Sequence, residues 1–92
     1  MDPIYKITKD EIEILKFRTD GISGNVKAFL SIRLFGFLVI HGFKIIQQPN
    51  QKPWVSVPQY SKDGKRYFNL LELPNDMINL IKDEILYRWG SE

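Results

Sequence analysis

The chain has 92 residues, of which 43% are hydrophobic and 26% charged, with no cysteine and a formal net charge of +2. That length supports one core rather than two, and the composition excludes a disordered chain. The absence of cysteine excludes disulfides, thiolate catalysis and the usual structural zinc sites, and it fits a reducing compartment, so the expected location is cytoplasmic. The longest apolar stretch, from Phe35 to Phe43, is far short of the roughly 20 residues that cross a bilayer. The N-terminal MDPIYKITKDEIE lacks a basic-then-apolar leader pattern, so no membrane association is expected.

Charge is unevenly distributed along the chain. Residues 27 to 66 hold Lys27, Arg33, Lys44, Lys52, Lys62, Lys65 and Arg66 against one acid, Asp63, a local balance of +6, while the segments before and after carry −1 and −3. Such asymmetry can form a basic face for a polyanion. The plainer alternative is that these side chains only solvate strand faces and turns.

Residues 1–10 show no period and contain Pro3, so they read as an N-terminal arm ahead of a single domain spanning 11–92. Glu11 to Phe17 alternates as a first strand, and Asp20-Gly21 with Ser23-Gly24-Asn25 supplies turn chemistry. In the second strand Val26, Ala28, Leu30, Ile32 and Leu34 share one side and Lys27, Phe29, Ser31 and Arg33 the other, which defines a core face.

Phe35-Gly36 turns the chain into a third strand, FLVIHGFKIIQQ, which is apolar on both sides. Gly42 within it predicts a bulge or a close backbone approach. A strand of this kind needs cover on its second face. A second copy meeting Phe37, Val39, His41, Phe43 and Ile45 would provide it, and the N-terminal arm is the alternative.

The connector PNQKP carries two prolines, so the fourth strand, WVSV, begins at Trp54 and stops at Pro58. A polar connector turning at Asp63-Gly64 leads to a fifth strand, RYFNLLEL. Pro74, Asn75 and Asp76 then start a helix in which Met77, Ile78, Ile81, Ile85 and Trp89 recur at helical spacing, ending at Gly90. The expected fold class is α+β, an antiparallel meander of about five strands packed by a C-terminal helix.

Catalytic chemistry is thinly represented. The chain holds one histidine, His41, and no phosphate loop or nucleophile motif. A general base requires a nucleophile and an orienting partner, and neither is evident from spacing. No enzyme, cofactor or metal site is expected. Aromatic rings interleaved with cations are more informative, because bases stack on rings while phosphates meet ammonium and guanidinium groups. Phe29 sits between Lys27 and Arg33, and Tyr60, Tyr67 and Phe68 bracket Lys62, Lys65 and Arg66. Each of these rings could equally be core, and Trp54 and Trp89 read as core or interface anchors.

The run VKAFLSIRLFGFLVIHGFKII, a short connector, PWVSVPQYSKDGKRYFNL and a terminal helix together resemble the bacterial SpoVG (stage V sporulation protein G) family over about residues 26–89. The resemblance is carried by Lys27, Ala28, Phe29, Ser31 and Ile32, then Val39, His41, Lys44 and Ile46, then Val55, Val57 and Pro58, then Asp63 and Gly64. It implies a cytoplasmic bacterial regulator of transcription, septation and sporulation that binds DNA and RNA without enzymatic activity. It also implies a homodimer whose sheet continues across both subunits. The family's basic loop falls on Gln59, Tyr60, Ser61 and Lys62, followed by Lys65 and Arg66. Here the loop is one residue shorter than the family's Ser-Arg-Lys form, and Pro49 to Pro53 replaces a Gly-Asn-Asn-Gly connector. The expected nucleic-acid contacts are therefore Lys52, Tyr60, Lys62, Lys65, Arg66 and Tyr67. The competing expectation is a protein-interaction module that docks through an apolar strand edge.

Overall fold

A computed structural model of the chain describes residues 8–21, 24–61 and 63–91. The framework is a β-hairpin of two nine-residue strands, β2 (Val26–Leu34) and β3 (Leu38–Ile46). Phe35 and Gly36 both take positive φ (58° and 78°), and Phe37 N–H donates to Leu34 O at 3.1 Å. Two left-handed residues in succession match the twist of the flanking strands, which is why this pair reverses the chain as expected.

Gly42 is the extra residue of a bulge. Leu30 pairs with Phe43 and Ser31 with His41, so Gly42 has no partner on β2. Its φ of 101° is one that side-chain-bearing residues avoid, and a Cβ there would sit 3.3 Å from Pro58 Cβ. Both parts of the expectation for Gly42, a bulge and a close approach, are met at this one position. The bulge also reverses the strand's alternation. Val39 and His41 share the open side with Arg33 and Ser31, while Phe43 and Ile45 turn inward and are 0% exposed. The expectation of one contact surface on Phe37, Val39, His41, Phe43 and Ile45 is corrected accordingly. The first three are exposed, and the last two belong to the protomer's own core.

On the outer side of β2 lies β1 (Ile12–Ile14), and beyond β3 lies β4 (Trp54–Ser56), giving an antiparallel sheet ordered β1-β2-β3-β4. The first strand is shorter than expected at both ends: Glu11 belongs to a 3₁₀ turn (Lys9–Glu11), and residues 15–17 leave the strand before Arg18 bridges back to Phe29. Thr8 N–H donates to Glu11 Oε1 at 3.1 Å and Glu11 N–H to Thr8 O at 3.0 Å, which closes that turn. Most of the expected N-terminal arm, residues 1–7, lies outside the described residues.

The expected fifth strand is reduced to β6 (Phe68–Asn69), which pairs with β5 (Gln59–Tyr60) as a separate two-stranded sheet. Pro58 lacks the N–H needed to extend the β3–β4 ladder. Its carbonyl instead accepts Leu70 N–H at 2.9 Å, tying off the base of the β5–β6 hairpin. The meander of about five strands is therefore four strands plus a hairpin arm, and the class is α+β.

Helix α1 (Asn75–Ser91) begins where expected, with Ile78 N–H donating to Pro74 O at 3.0 Å and Asp76 in the positively polarised first turn. Ile81 and Ile85, one turn apart, are fully buried with Ala28, Leu30, Ile32, Leu34, Phe43, Ile45 and Val55. Burial of each such isoleucine stabilises the fold by about 1.5–3 kcal/mol. Trp89 extends the contact, its ring edge-on to Phe17 at 5.2 Å. The helix covers only one face of the sheet. The other carries Phe29, Ser31, Arg33, Val39, His41, Lys44 and Trp54, the last 48% exposed.

Candidate nucleic-acid interface

The β5–β6 hairpin places aromatic and basic residues on a short arm. Tyr60 and Phe68 are cross-strand partners whose rings lie 5.4 Å apart at 32°, and both are exposed. Gln59 Nε2 donates to Asn69 Oδ1 at 3.0 Å beside them. A two-residue ladder is marginal alone, so the ring pair supplies much of the arm's cohesion. Tyr67, just before β6, is 62% exposed. Phe68, which the sequence left open as core or platform, is 44% exposed.

At the tip the single acid is occupied by the backbone. Asp63 Oδ1 accepts Lys65 N–H at 2.8 Å and Arg66 N–H at 3.0 Å, and Gly64 N–H donates to Ser61 Oγ at 2.8 Å. The backbone bonds from Arg66 and then Lys65 hold the Asp63 carboxyl below its ordinary value of 3.8. An acid whose folded pKa is depressed contributes to loop order above its ordinary value and loses that contribution as pH falls through the folded one. Lys65 and Arg66 amide resonances should therefore shift together on acidification, with a midpoint below 3.8. Asp63→Asn should abolish that titration while leaving the core resonances in place.

The side chains of Lys65 and Arg66 remain exposed at this tip. Among the described residues an ion pair joins Arg33 Nη1 to Glu13 Oε1 at 2.8 Å, and none reaches Lys44, Lys52, Lys65 or Arg66. Lys62 lies outside the described residues. Lys52 is exposed in the connector between β3 and β4, away in the chain from the hairpin tip.

Two further arrangements appear on the open sheet face. Lys44 Nζ sits 5.9 Å from the Phe29 ring centroid, a cation–π contact that holds ring and charge side by side. Ser31 Oγ and His41 Nδ1 are hydrogen-bonded across β2 and β3. Sequence reasoning found no partner for His41 because the pairing depends on the register set by the Phe35-Gly36 turn, which runs unshifted from Leu34–Leu38 to Ser31–His41. A nucleophile–base dyad also requires a group that orients the base, and no carboxylate bonds His41 among the described residues.

Strand β4 pairs only Lys44, Ile45 and Ile46 of β3. The outer edge of residues 38–41 thus has no strand partner among the described residues. Phe37, 78% exposed, stands at the start of that edge. The third strand is interior over its second half and open over its first, which narrows the expected strand-edge docking to residues 38–41. No helix among the described residues is long and apolar enough to cross a membrane. No protein-family model matches the chain, and neither does any curated protein.

Proposed function

We propose that the protein is a nucleic-acid-binding regulator of the kind the SpoVG resemblance implies, without a catalytic role, contacting phosphates through its β5–β6 hairpin. Lys65 and Arg66, with Lys62 and Lys52, supply the charge, and Tyr60, Phe68 and Tyr67 offer ring faces on which bases can stack. The observation that carries this reading is the tip itself. Its one carboxylate is bonded to backbone N–H groups, the adjacent cations have no ion-pair partner among the described residues, and the flanking rings are exposed. Exposed rings grouped on an arm are the kind of apolar surface that marks a contact site.

Binding of this sort is positional and electrostatic. Three or four phosphate contacts should give a log–log salt slope of about −2 to −3 for a single strand. Titrating labelled single- and double-stranded DNA and RNA between about 50 and 200 mM salt measures that slope. A dissociation constant unaffected by salt would refute the reading.

The open edge of residues 38–41 supports a homodimer in which this segment pairs with itself about a two-fold axis, continuing the sheet. Val39 is exposed on that segment and outside the core. Val39→Glu should shift the light-scattering mass from twice the monomer to the monomer while the far-UV circular dichroism remains that of the folded parent, and it should remove any dependence of the thermal midpoint on protein concentration. The same edge is the specific observation behind the second reading, a module that docks on another protein by strand addition. Replacing Lys62, Lys65 and Arg66 with Ser separates the two, because strand addition needs none of these charges.

A further inference from the structure

A cavity of about 310 Å³ opens on the uncovered sheet face between Lys16, Arg18, Phe29, Ser31, His41 and Gly42. The chain builds it by leaving the ladder and rejoining it. Leu15 N–H donates to Ser31 O at 3.0 Å, and Arg18 exchanges backbone bonds with Phe29 at 2.7 and 2.9 Å. Between these two fixed points the chain arches, Phe17 turns toward Trp89, and Lys16 and Arg18 remain exposed at the cavity's edge.

The lining contains two cations and no carboxylate. Another groove, beside β1, is lined by Lys9 and Arg88 but also by Asp10, Glu13 and Glu84, so carboxylates outnumber cations there. Neither Lys16 nor Arg18 has an ion-pair partner among the described residues. The hydrogen-bonded Ser31–His41 pair at the cavity adds a donor whichever way its proton lies. If Ser31 donates to Nδ1, the ring keeps an N–H at Nε2. If Nδ1–H donates to Oγ, the serine O–H is free to donate elsewhere. Phe29 contributes a ring 36% exposed, with Lys44 alongside it.

Two cations, a polar pair that always retains a donor, and an exposed ring form a site for a phosphoryl group attached to something flat. We infer that this groove binds a nucleoside phosphate unit, with Lys16, Arg18 and the Ser31–His41 pair on the phosphate and the base against Phe29. A volume of about 310 Å³ lies at the lower end of small-ligand clefts, roughly 300–1,000 Å³, which suits one such unit. The unit can be a free nucleotide or one residue of a strand. The site is separate from the hairpin tip and does not rest on the tip's role.

Amide chemical-shift mapping tests this on the full chain with four probes: adenosine, AMP, and one oligonucleotide carrying either a 5′-phosphate or a 5′-hydroxyl. AMP should move the amides of residues 16–18, 29–31 and 41–42, and adenosine should not. Lys16→Gln with Arg18→Gln should weaken AMP binding by at least about tenfold, two lost charge-assisted contacts being the cause. Ser replacements at Lys62, Lys65 and Arg66 should leave AMP binding unchanged, so a silent hairpin and a silent groove are told apart. Equal groove shifts with both oligonucleotides identify an internal phosphodiester as the unit. Shifts only with the 5′-phosphorylated strand and AMP identify a terminal or free phosphate. Adenosine binding as well as AMP, or AMP shifts confined to the hairpin or absent at millimolar probe, would overturn the inference.

Discussion

Phe43→Ala is expected to remove about 3–5 kcal/mol of stability, a large share of the roughly 5–15 kcal/mol that holds a domain folded. Phe43 is the largest of the fully buried side chains and pairs with Leu30 in the cluster closed by Ile81 and Ile85. Its position faces the helix only because the bulge at Gly42 reverses the strand there. Truncation leaves a cavity that two strands and one helix can only partly collapse around. Phe43→Leu keeps most of the volume and should cost clearly less. Denaturant midpoints at constant slope would measure both. An alanine variant as stable as the parent would mean that Phe43 is not in the core and that the strand's faces are assigned the wrong way round.

Gly42→Ala should be the most damaging single-methyl change in the sheet. A φ of 101° costs a side-chain-bearing residue about 1–3 kcal/mol, and the new Cβ would also press on Pro58 Cβ at 3.3 Å. The two causes are separable. In a Pro58→Gly background the contact disappears while the backbone conformation remains, so most of the loss should persist. Disappearance of the whole effect in that background would show that crowding alone makes glycine necessary. Because the Ser31–His41 pair lies next to this bulge, the variant should also move the His41 ring resonances, linking the strain to the open face.

Strand β2 and helix α1 were legible in the sequence almost to the residue, since each carries an uninterrupted period matching its secondary structure. Strand β3 looked apolar on both sides because strict alternation was carried through Gly42. With one residue looped out, Leu38, Ile40, Phe43 and Ile45 share the side of the core residues of β2 while Val39, His41 and Lys44 face outward, so one face is apolar and the other mixed. A hairpin turning at Asp63-Gly64 was expected, but its two-residue strands β5 and β6 were not resolved from their neighbours because strands so short have no period, and the Tyr60–Phe68 ring pair joins them. Asp63-Gly64 was readable as the turn, yet the use of the carboxylate by Lys65 and Arg66 amides is a matter of loop conformation. Lys16 and Arg18 gave no signal at all. Their juxtaposition with Ser31 and His41 arises from the return of Arg18 to Phe29 across the ladder.

The cations of the hairpin tip are the heart of the functional reading, and their contribution can be measured by comparing salt dependence before and after their removal. Labelled single-stranded DNA should be titrated against the parent protein and against the triple Ser variant at Lys62, Lys65 and Arg66, with folding verified by circular dichroism. Loss of three phosphate contacts should flatten the log–log slope by about 2 and weaken binding most at low salt. An unchanged slope and affinity in a folded variant would contradict phosphate binding by the hairpin.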